Sequence, residues 1–537
     1  MRYKGGVISA TAPTTSTSTA KGIWTTTQQM QAVGASVWPR IPGAPTIGTA
    51  TAGSASATVA YTVPTDLGAG SVTYTATSDP GGFTGTGASP ITVSGLTNGT
   101  GYTFSVTGTT PGGTGPASAA SNSITPVAPT FIANLYAGYG YSTVRDSSNN
   151  IYIFGIPAGS NVTQMAKYNT EGVLQWQKYI NISPGGYKYE TAIDSSGNLL
   201  IAVPAGYQLK VYKVDSNGAM VWQRSIDGWP SGCSGVTTEI VAVCTDSAGN
   251  VYVGATLNFN CLYGYTVSKF NSSGTLQFSR NITNNIRANA GETGIAVDSA
   301  GSIYFTAGQA VSQYRVALIK LDSGGNLSWQ RYFSNPSYSS YGTSIVIDSS
   351  NNIYVTGRYD ASGQNNMFIA KYNSSGTVQW NQSLDIGYAS SGTGIAIDSS
   401  ANVYVCGETF STAYAMIMAK YNSSGTIQWQ RKITGSFNMF GYDVTVDAND
   451  NPVFIGYSYP GGQPRMFFGK FPSDGSKTGT YTLSGQSYTY AVTTSTDSAN
   501  SPTYATSGVS AASITLNQTT LSNTITDSSL TTGTTTL

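Results

Sequence analysis

The sequence predicts an all-β protein built from several domains. The chain has 537 residues, more than a single hydrophobic core usually organises. Charged residues make up only 9% of it, while 63 glycines and 36 tyrosines favour strands and tight turns over helices. A stretch of about 50 residues also recurs along most of the chain. We therefore expect a β-sandwich followed by a repeat domain, with extended segments at both ends.

Composition and charge exclude several functional classes. The net charge is +1 and there is no long basic run, so we expect no nucleic-acid partner. No stretch approaches the ~18 to 20 consecutive apolar residues of a membrane span, and the start lacks the apolar core of a secretion signal. Histidine is absent, which removes the commonest general base and zinc ligand. We expect no membrane insertion, no metal, no cofactor and no histidine-dependent catalysis.

Residues 1–40 contain no convincing core but carry two isolated tryptophans, Trp24 and Trp38. The run I-S-A-T-A-P-T-T-S-T-S-T-A-K-G-I-W-T-T-T-Q-Q-M-Q-A resembles the amino-terminal arm of structural proteins from tailed phages, particularly those of cyanobacteria. The resemblance implies an arm that becomes ordered when Trp24 and Trp38 dock on another virion protein. A flexible leader is the alternative.

Residues 41–128 form a block of seven alternating strands bounded by prolines. The run G-L-T-N-G-T-G-Y-T-F-S-V is similar to the corner of a fibronectin type III domain, with Leu96 in the core and Tyr102 as the corner tyrosine. The usual buried tryptophan of that family is missing, and Tyr61 is expected to take its place. The resemblance implies a small spacer domain.

Residues 129–484 carry one line seven times, of the form I-A-I-D-S-S-A-N-V-Y-V, a variable loop, and A-K-Y-N-S-S-G-T-I-Q-W-Q-R. Each copy holds four short β runs separated by a D-S-x-x-N turn, a variable loop and an N-S-S-G turn, which is the content of a propeller blade. The marker aspartates are Asp146, Asp194, Asp246, Asp298, Asp348, Asp398 and Asp447, and the marker lysines are Lys167, Lys213, Lys269, Lys320, Lys371, Lys420 and Lys470.

The repeat predicts a seven-bladed β-propeller. An aromatic residue in the fourth run of most copies, such as Trp429, is placed to fill the wedge between neighbouring blades. The seventh copy lacks it, so Tyr481 or the run FIANLY at 131–136 must complete the ring, and we favour FIANLY. The line resembles the bacterial β-propeller repeats called SBBP, which are mostly found in surface and secreted proteins. That family supplies no catalytic residues.

Residues 485–537 are rich in Thr and Ser with few charges. So little apolar surface predicts either disorder or pairing with copies of this segment or with a neighbour, and the sequence leaves these alternatives open. The four cysteines form neither a disulfide framework nor a CxxC pair. We expect mostly buried thiols, and a local disulfide among the first three stays open; the cysteines are Cys233, Cys244, Cys261 and Cys406.

In a four-stranded blade, the two repeated turns share one face, here called the turn face. The variable loops and the connections between blades share the opposite face, here called the variable face. The variable loops are rich in Tyr, Ser, Gly and Asn, a composition typical of antibody paratopes. We predict a receptor- or glycan-binding surface formed by six tyrosines, namely Tyr338, Tyr341, Tyr359, Tyr388, Tyr457 and Tyr459. Tyrosine that merely tolerates half-exposed strand positions is the alternative.

The marker Asp and Lys of each repeat are expected near the turn face, close enough to pair and to hold the turns. A metal-binding ring is rejected, because D-S-S-x-N lacks the spaced ligands and terminal Glu of a calcium loop. Glycosidases normally need two facing carboxylates. Glu292 and Glu408, near variable loops, are the pair that would supply them, and we do not expect catalysis.

Together these patterns predict a non-enzymatic virion structural protein, a tail or surface fibre located on the virion surface and extracellular after host lysis. Its expected partners are other virion proteins, further copies of itself in a homo-oligomer, and a host-surface receptor or glycan. Two alternatives remain: a bacterial surface or secreted binding protein, and a propeller hydrolase or lyase of a tailspike.

Overall fold

The computed structural model describes most of residues 40–483 and short pieces on either side. The gaps in that range are at residues 69, 128–130, 136–137, 161, 181–189, 206–207, 228–236, 259–262, 283–285, 288–292, 311–313, 335–338, 361–364, 386–387 and 411–412. The chain divides into two compact units, Met1–Pro129 and Thr130–Leu537. No helix within the described residues is both long and apolar enough to cross a membrane.

The first unit contains two small sheets that enclose one core. A two-residue pair precedes them, formed by β1 (Thr15–Ser16) and β2 (Thr19–Ala20). Strands β3, β4 and β7 form one sheet, and β6, β5, β8 and β9 form the other. Their bounds are β3 (Thr46–Ala52), β4 (Ser56–Thr62), β5 (Thr73–Asp79), β6 (Thr84–Thr86), β7 (Ile91–Ser94), β8 (Thr103–Thr110) and β9 (Gly113–Thr114).

The core of the first unit contains the residues that the sequence predicts there. Leu96 and Tyr102 are buried in it. The Tyr102 hydroxyl accepts a hydrogen bond from the Thr97 backbone N–H at 3.0 Å, which ties the start of β8 to the loop before it. Tyr61 is buried beside Tyr74, with ring centroids 4.7 Å apart, and donates to the Gly87 carbonyl. Both tyrosines thus pack within the core that the two sheets enclose.

The second unit contains seven successive antiparallel sheets among the described residues, numbered here in chain order. Strand β10 (Phe131–Leu135) precedes them. Sheets 1 to 3 comprise β11 (Gly138–Arg145), β12 (Ile151–Pro157), β13 (Thr163–Tyr168) and β14 (Leu174–Ile180); β15 (Glu190–Ile193), β16 (Leu199–Ala205), β17 (Gln208–Val214) and β18 (Met220–Asp227); and β19 (Thr237–Thr245), β20 (Val251–Asn258), β21 (Tyr263–Phe270) and β22 (Leu276–Ile282).

The remaining four sheets repeat the same order. In sheet 4 the first strand is divided into two pieces that both pair with the second strand. Sheets 4 and 5 comprise β23 (Ile286–Arg287), β24 (Gly294–Val297), β25 (Ile303–Ala310), β26 (Tyr314–Leu321) and β27 (Leu327–Ser334); and β28 (Ser340–Ile347), β29 (Ile353–Asp360), β30 (Asn365–Tyr372) and β31 (Val378–Asp385). Sheets 6 and 7 comprise β32 (Ala389–Ile397), β33 (Val403–Phe410), β34 (Tyr414–Tyr421) and β35 (Ile427–Thr434); and β36 (Met439–Val446), β37 (Pro452–Ser458), β38 (Arg465–Lys470) and the early strand β10, with a 3₁₀ turn at Pro460–Gly462.

The first strand of every sheet lines one common cavity of about 730 Å³. Neighbouring sheets are joined on the turn face by the fourth-strand tryptophans. Trp176 Nε1, for example, donates to the Ser216 carbonyl of the next sheet at 3.0 Å, and Trp429 Nε1 donates to that of Ser473 at 2.9 Å. Sheets that follow one another around a central cavity are the arrangement of a β-propeller.

Strand β10 closes the ring in the way that the sequence favours. It pairs antiparallel with β38 and so supplies the fourth strand of sheet 7. Phe131 packs in one buried cluster with residues of both sheet 1 and sheet 7, including Tyr168 and Phe468. On the inner strands, the Asp443 carboxylate of sheet 7 accepts hydrogen bonds from Ser142 at 3.0 Å and from the Thr143 N–H at 2.9 Å. The first and last sheets are therefore joined at both the inner and the outer strands.

The C-terminal segment adds a further strand to the outer edge of each sheet. After a hairpin of β39 and β40, successive strands pair with sheets 6, 5, 4, 3, 2 and 1 and finally with β10 of sheet 7. Among the alternatives for this segment, its described strands pair with a neighbour, which is the sheet edges of the same chain. They are β39 (Gly479–Leu483), β40 (Gln486–Val492), β41 (Thr496–Ser498), β42 (Thr503–Ala505), β43 (Ala511–Ser513), β44 (Asn517–Thr520), β45 (Ile525–Asp527) and β46 (Thr532–Thr536).

Ending the chain at Leu483 is expected to make the protein self-associate. Removal of the C-terminal strands leaves unpaired N–H and C=O groups along the outer edges, and such edges pair with other chains. Sedimentation of the shortened and full-length chains over a range of concentrations measures this. A shortened chain whose mass distribution matches that of the full-length protein at every concentration would show that these strands do not protect the edges.

Candidate functional site

The marker aspartates and lysines hold the turn face together. Five of the predicted pairs lie within 4.0 Å, from 2.7 Å for Lys213–Asp194 to 4.0 Å for Lys320–Asp298. Burial by itself would raise the pKa of Asp194, but hydrogen bonds from Lys213 and Asn198 outweigh it and hold that pKa below its usual value. The aspartates also accept backbone N–H groups of their own turns, as Asp194 does at 2.8 Å from Asn198. The predicted pairing is confirmed for these five pairs, and the predicted turn capping is confirmed as well.

The variable face is built differently in sheets 5, 6, 7 and 1 from the rest of the ring. In these sheets a glycine of the first strand pairs with a glycine of the second, next to a β-bulge. A Cβ on Gly407 would meet the Ser391 carbonyl oxygen, and one on Gly441 would lie 2.7 Å from the Gly407 carbonyl oxygen of the neighbouring sheet. The paired glycines thus let neighbouring sheets approach closely just below the variable face.

The next cross-strand pair from each glycine pair toward the variable face differs from sheet to sheet. We call these four cross-strand pairs the rim. Although the surrounding repeat is uniform, the rim includes a cation, an anion and several aromatic rings. Its pairs are Tyr341 with Arg358, Ser391 with Glu408, Phe440 with Tyr457, and Tyr139 with Ile156.

A row of eight aromatic rings runs across the rim of sheets 6, 7 and 1. Neighbouring centroids lie 4.6 to 6.1 Å apart, within the range of favourable ring contacts. The Tyr459 hydroxyl also donates to the Tyr139 hydroxyl at 2.8 Å, which joins sheet 7 to sheet 1. We call this set the aromatic row; its members are Phe410, Tyr414, Phe440, Tyr442, Tyr457, Tyr459, Tyr139 and Tyr141.

A groove of about 560 Å³ opens beside the aromatic row, between the loops of sheets 6 and 7. Phe440 and Tyr459 form part of its wall, and Ser436 and Asn438 add exposed polar groups. Asn438 is held in place, because its side-chain oxygen accepts the Tyr414 N–H at 3.1 Å and its carbonyl accepts the Tyr459 N–H at 2.9 Å. Apolar walls with a few fixed polar groups are the usual composition of a small-molecule site.

Two charged rim residues lie at the inner end of the aromatic row. Burial raises the pKa of Glu408 to about 7, and the Arg358 guanidinium partly opposes that shift. On the other side, Glu408 raises the pKa of both Tyr442 and Tyr457, whose own burial is the larger cause. The Arg358 guanidinium carbon lies 4.2 Å from the centroid of the Tyr341 ring. Glu408 therefore lies between a cation and the tyrosines.

The predicted surface tyrosines separate into three groups. Tyr341, Tyr359 and Tyr457 are buried, because their strands continue further than the loop pattern suggests, so they offer a ligand little contact area. Tyr388 is 53% exposed in the connection between sheets 5 and 6, and Tyr459 is partly exposed in the groove. The role of these tyrosines in binding stays a prediction.

Several predicted residues lie outside the described part of the chain. These are Tyr338, the arm residues Trp24 and Trp38, and Glu292, the glutamate considered with Glu408. Of the cysteines, Cys406 is buried and Cys244 is largely so, and neither is in a disulfide. Burial raises the pKa of the Cys244 thiol, which disfavours its thiolate form. Cys233 and Cys261 also lie outside the described residues.

Sequence reasoning did not identify most of the aromatic row or Arg358. A signal was available in the position six residues before the marker aspartate. That position is glycine in the four sheets that form the rim and a larger residue in the other three, where it is Lys188, Ile240 and Glu292. Aligning the seven copies on their aspartates would have separated the rim from the remaining sheets.

Comparison with known proteins supports the repeat type. Residues 329–358 match the family model described as SBBP, β-propeller repeat, which confirms the predicted repeat for that stretch. A search of curated proteins found no significant match. The propeller interpretation therefore depends on this repeat and on the arrangement of the sheets.

Three solved structures resemble the chain at low identity. A rhamnogalacturonan lyase of Bacillus licheniformis is 10% identical, with 80% of this chain and 90% of that chain covered and a TM-score of 0.29. A subtype N10 neuraminidase-like protein of A/little yellow-shouldered bat/Guatemala is 11% identical over 52% and 92%, with a TM-score of 0.34. A chain containing titin kinase and its flanking domains is 15% identical; the match spans 24% of this chain and only 29% of that chain, with a TM-score of 0.15.

Proposed function

We propose that this protein is a non-enzymatic recognition protein, in which a seven-bladed β-propeller binds a glycan on a host surface through the aromatic row and its groove. The observation that carries the proposal is the continuous row of rings at the strand ends next to the variable face. Partly exposed rings beside fixed polar groups suit sugar rings, because an apolar sugar face stacks on the ring while its hydroxyls bond to the polar groups.

The rest of the chain gives this recognition a context. The first 40 residues resemble the arm of a phage structural protein, which favours attachment to a virion through Trp24 and Trp38. The two-sheet unit is a fibronectin type III-like spacer, and its Tyr102 hydrogen bond is typical of such corners. Many copies on one particle would convert weak single contacts into strong attachment. The location on a virion surface, the other virion proteins as partners and the homo-oligomer are parts of the same proposal.

Changing Phe410 and Tyr459 together to alanine is expected to weaken glycan binding about tenfold or more, the scale of losing interface anchor residues. Phe410 is 46% exposed and Tyr459 partly so, which limits damage to the fold. The measurement is binding of the full-length chain to a glycan array. Two controls accompany it: Tyr459→Phe, which keeps the ring, and Val173→Ser, at an exposed residue of the turn face.

Equal binding by the double variant and by Val173→Ser would reject the groove as the contact surface. The virion context has a separate test, because antibodies against the chain should label purified phage particles. Labelling of the bacterial surface alone would favour a bacterial binding protein.

Glu408 favours one catalytic alternative, since a carboxyl with a pKa of about 7 suits acid–base chemistry near neutral pH. A glycosidase would need a second carboxylate facing Glu408. The described residues that line the groove include no carboxylate, and Glu171 and Glu190 lie in a repeated turn and in the central cavity. Release of sugar from bound glycans by the full-length chain, lost in Glu408→Gln, would establish this alternative instead.

A further inference from the structure

We infer that Arg358 and Glu408, at the inner end of the aromatic row, make this a site for an acidic sugar, in which the guanidinium binds the sugar carboxylate and protonated Glu408 donates a hydrogen bond to it. This rests on the proposed glycan-binding function and names the class of glycan. The ligand is a uronate or another sugar that bears a carboxylate, with its ring on the aromatic row.

The register of the sheets brings these residues together. Arg358, Glu408 and Tyr457 each follow the glycine of the second strand in sheets 5, 6 and 7, so they take equivalent positions in consecutive sheets. At the same position the other four sheets carry uncharged residues, namely Ile156, Pro204, Thr256 and Gly308. The charged pair thus occurs once around this ring position, beside the aromatic row.

Arg358 has the chemistry to bind a carboxylate. A guanidinium presents its donors as a rigid planar fork that matches a carboxylate in bidentate fashion. The Tyr341 ring, 4.2 Å from the guanidinium carbon, supports the cation from one side. Both charged side chains are mostly buried but keep an exposed fraction close to the variable face, through which a ligand carboxylate would reach them.

Glu408 makes the affinity depend on pH. Its neighbours are Arg358 on sheet 5, Tyr442 and Tyr457 on sheet 7, and, across its own sheet, Ser391 and Met416. Burial raises the pKa of both tyrosines, so they stay neutral near pH 7. Below about pH 7 Glu408 becomes protonated. It then no longer repels a bound carboxylate or competes for Arg358, so an anionic sugar binds more tightly as the pH falls.

The test compares a hyaluronan hexasaccharide, which carries glucuronates, with the same hexasaccharide after reduction of its carboxylates to alcohols. Binding to the full-length protein is measured by calorimetry between about pH 6 and about pH 8, the range that brackets the Glu408 pKa. We expect the acidic form to bind about tenfold more weakly at the upper pH. There the ionised Glu408 repels the sugar carboxylate, and such a repulsion typically changes the free energy by the equivalent of roughly one pKa unit, which is a factor of about ten in affinity. The reduced form should bind weakly and independently of pH.

Three variants separate a binding role from a structural one. Glu408→Gln should bind the acidic form tightly at every pH, because the amide is neutral throughout. Arg358→Ala should lose the preference for the acidic form, and Arg358→Lys should restore only part of it, because an ammonium lacks the planar fork. Unchanged circular dichroism and melting temperature would show that each variant is folded.

Equal binding of the two hexasaccharides, or a pH dependence that persists in Glu408→Gln, would overturn the inference. If neither hexasaccharide binds while array binding stays sensitive to Phe410→Ala with Tyr459→Ala, the inference fails and the glycan-binding function stands. If array binding is also insensitive to that double variant, both fail.

Discussion

Replacing Lys470 by methionine is expected to destabilise the propeller by about 3–5 kcal/mol, the cost of leaving one member of a buried ion pair without its partner. Lys470 is 1% exposed and its Nζ lies 3.0 Å from the Asp447 carboxylate. The same Nζ donates to the Thr170 carbonyl at 3.2 Å, so it also joins sheet 7 to sheet 1. Methionine keeps the volume but leaves the Asp447 charge buried.

Lys320→Met is the matched control for this prediction. Its ion pair with Asp298 is longer, at 4.0 Å, and the lysine side chain is 17% exposed. We therefore expect a smaller loss than for Lys470, because the longer distance weakens the ion pair and the ammonium is less deeply buried. Calorimetric unfolding of the full-length variants measures both, and the double variant Lys470→Met with Asp447→Asn should recover much of the loss. Equal effects of the two lysine substitutions would show that burial does not decide the strength of these pairs.

Replacing Phe131 by alanine is expected to open the ring between sheets 1 and 7. The side chain is buried among residues of both sheets, and its ring lies 5.6 Å from that of Phe468 in an edge-to-face contact. Loss of a buried phenylalanine usually costs about 3–5 kcal/mol. Here the lost contacts are those of β10, the five-residue strand that completes sheet 7. We therefore expect β10 to separate locally from β38 in addition to the loss of stability.

Hydrogen exchange measured by mass spectrometry tests this prediction directly. In Phe131→Ala, the amides of β10 and β38 should exchange faster, while those of sheets 3 and 4, opposite the closure, should keep their rates. Phe131→Leu is the control and should cost less than about 1.5 kcal/mol, because it keeps most of the apolar volume. Uniformly faster exchange around the ring would contradict the interpretation of β10 as a local clasp.

The sequence by itself determined the elements that depend on neighbouring residues. The four-strand repeat, its two turns, the Asp–Lys pairs and the preference for FIANLY as the closing strand all appear in the structure. They were predictable because turn chemistry and strand alternation act within a few residues, and because seven copies repeat each signal. The SBBP repeat type follows from the same local pattern. The virion arm and the fibronectin type III family stay predictions.

Only the tertiary structure decided which residues of the candidate site meet. Tyr139 and Tyr459 are 320 residues apart in sequence, and only ring closure brings their hydroxyls to 2.8 Å. Arg358 and Glu408 become neighbours because consecutive sheets share one register, which no single copy reveals. The burial of Tyr457 depends on where its strand ends. Side chains alternate between the two faces of a sheet, so a residue that continues the strand has a fixed face, whereas a loop residue does not. Local patterns therefore specified the blades, whereas the contacts between distant blades formed the surface that is proposed to bind.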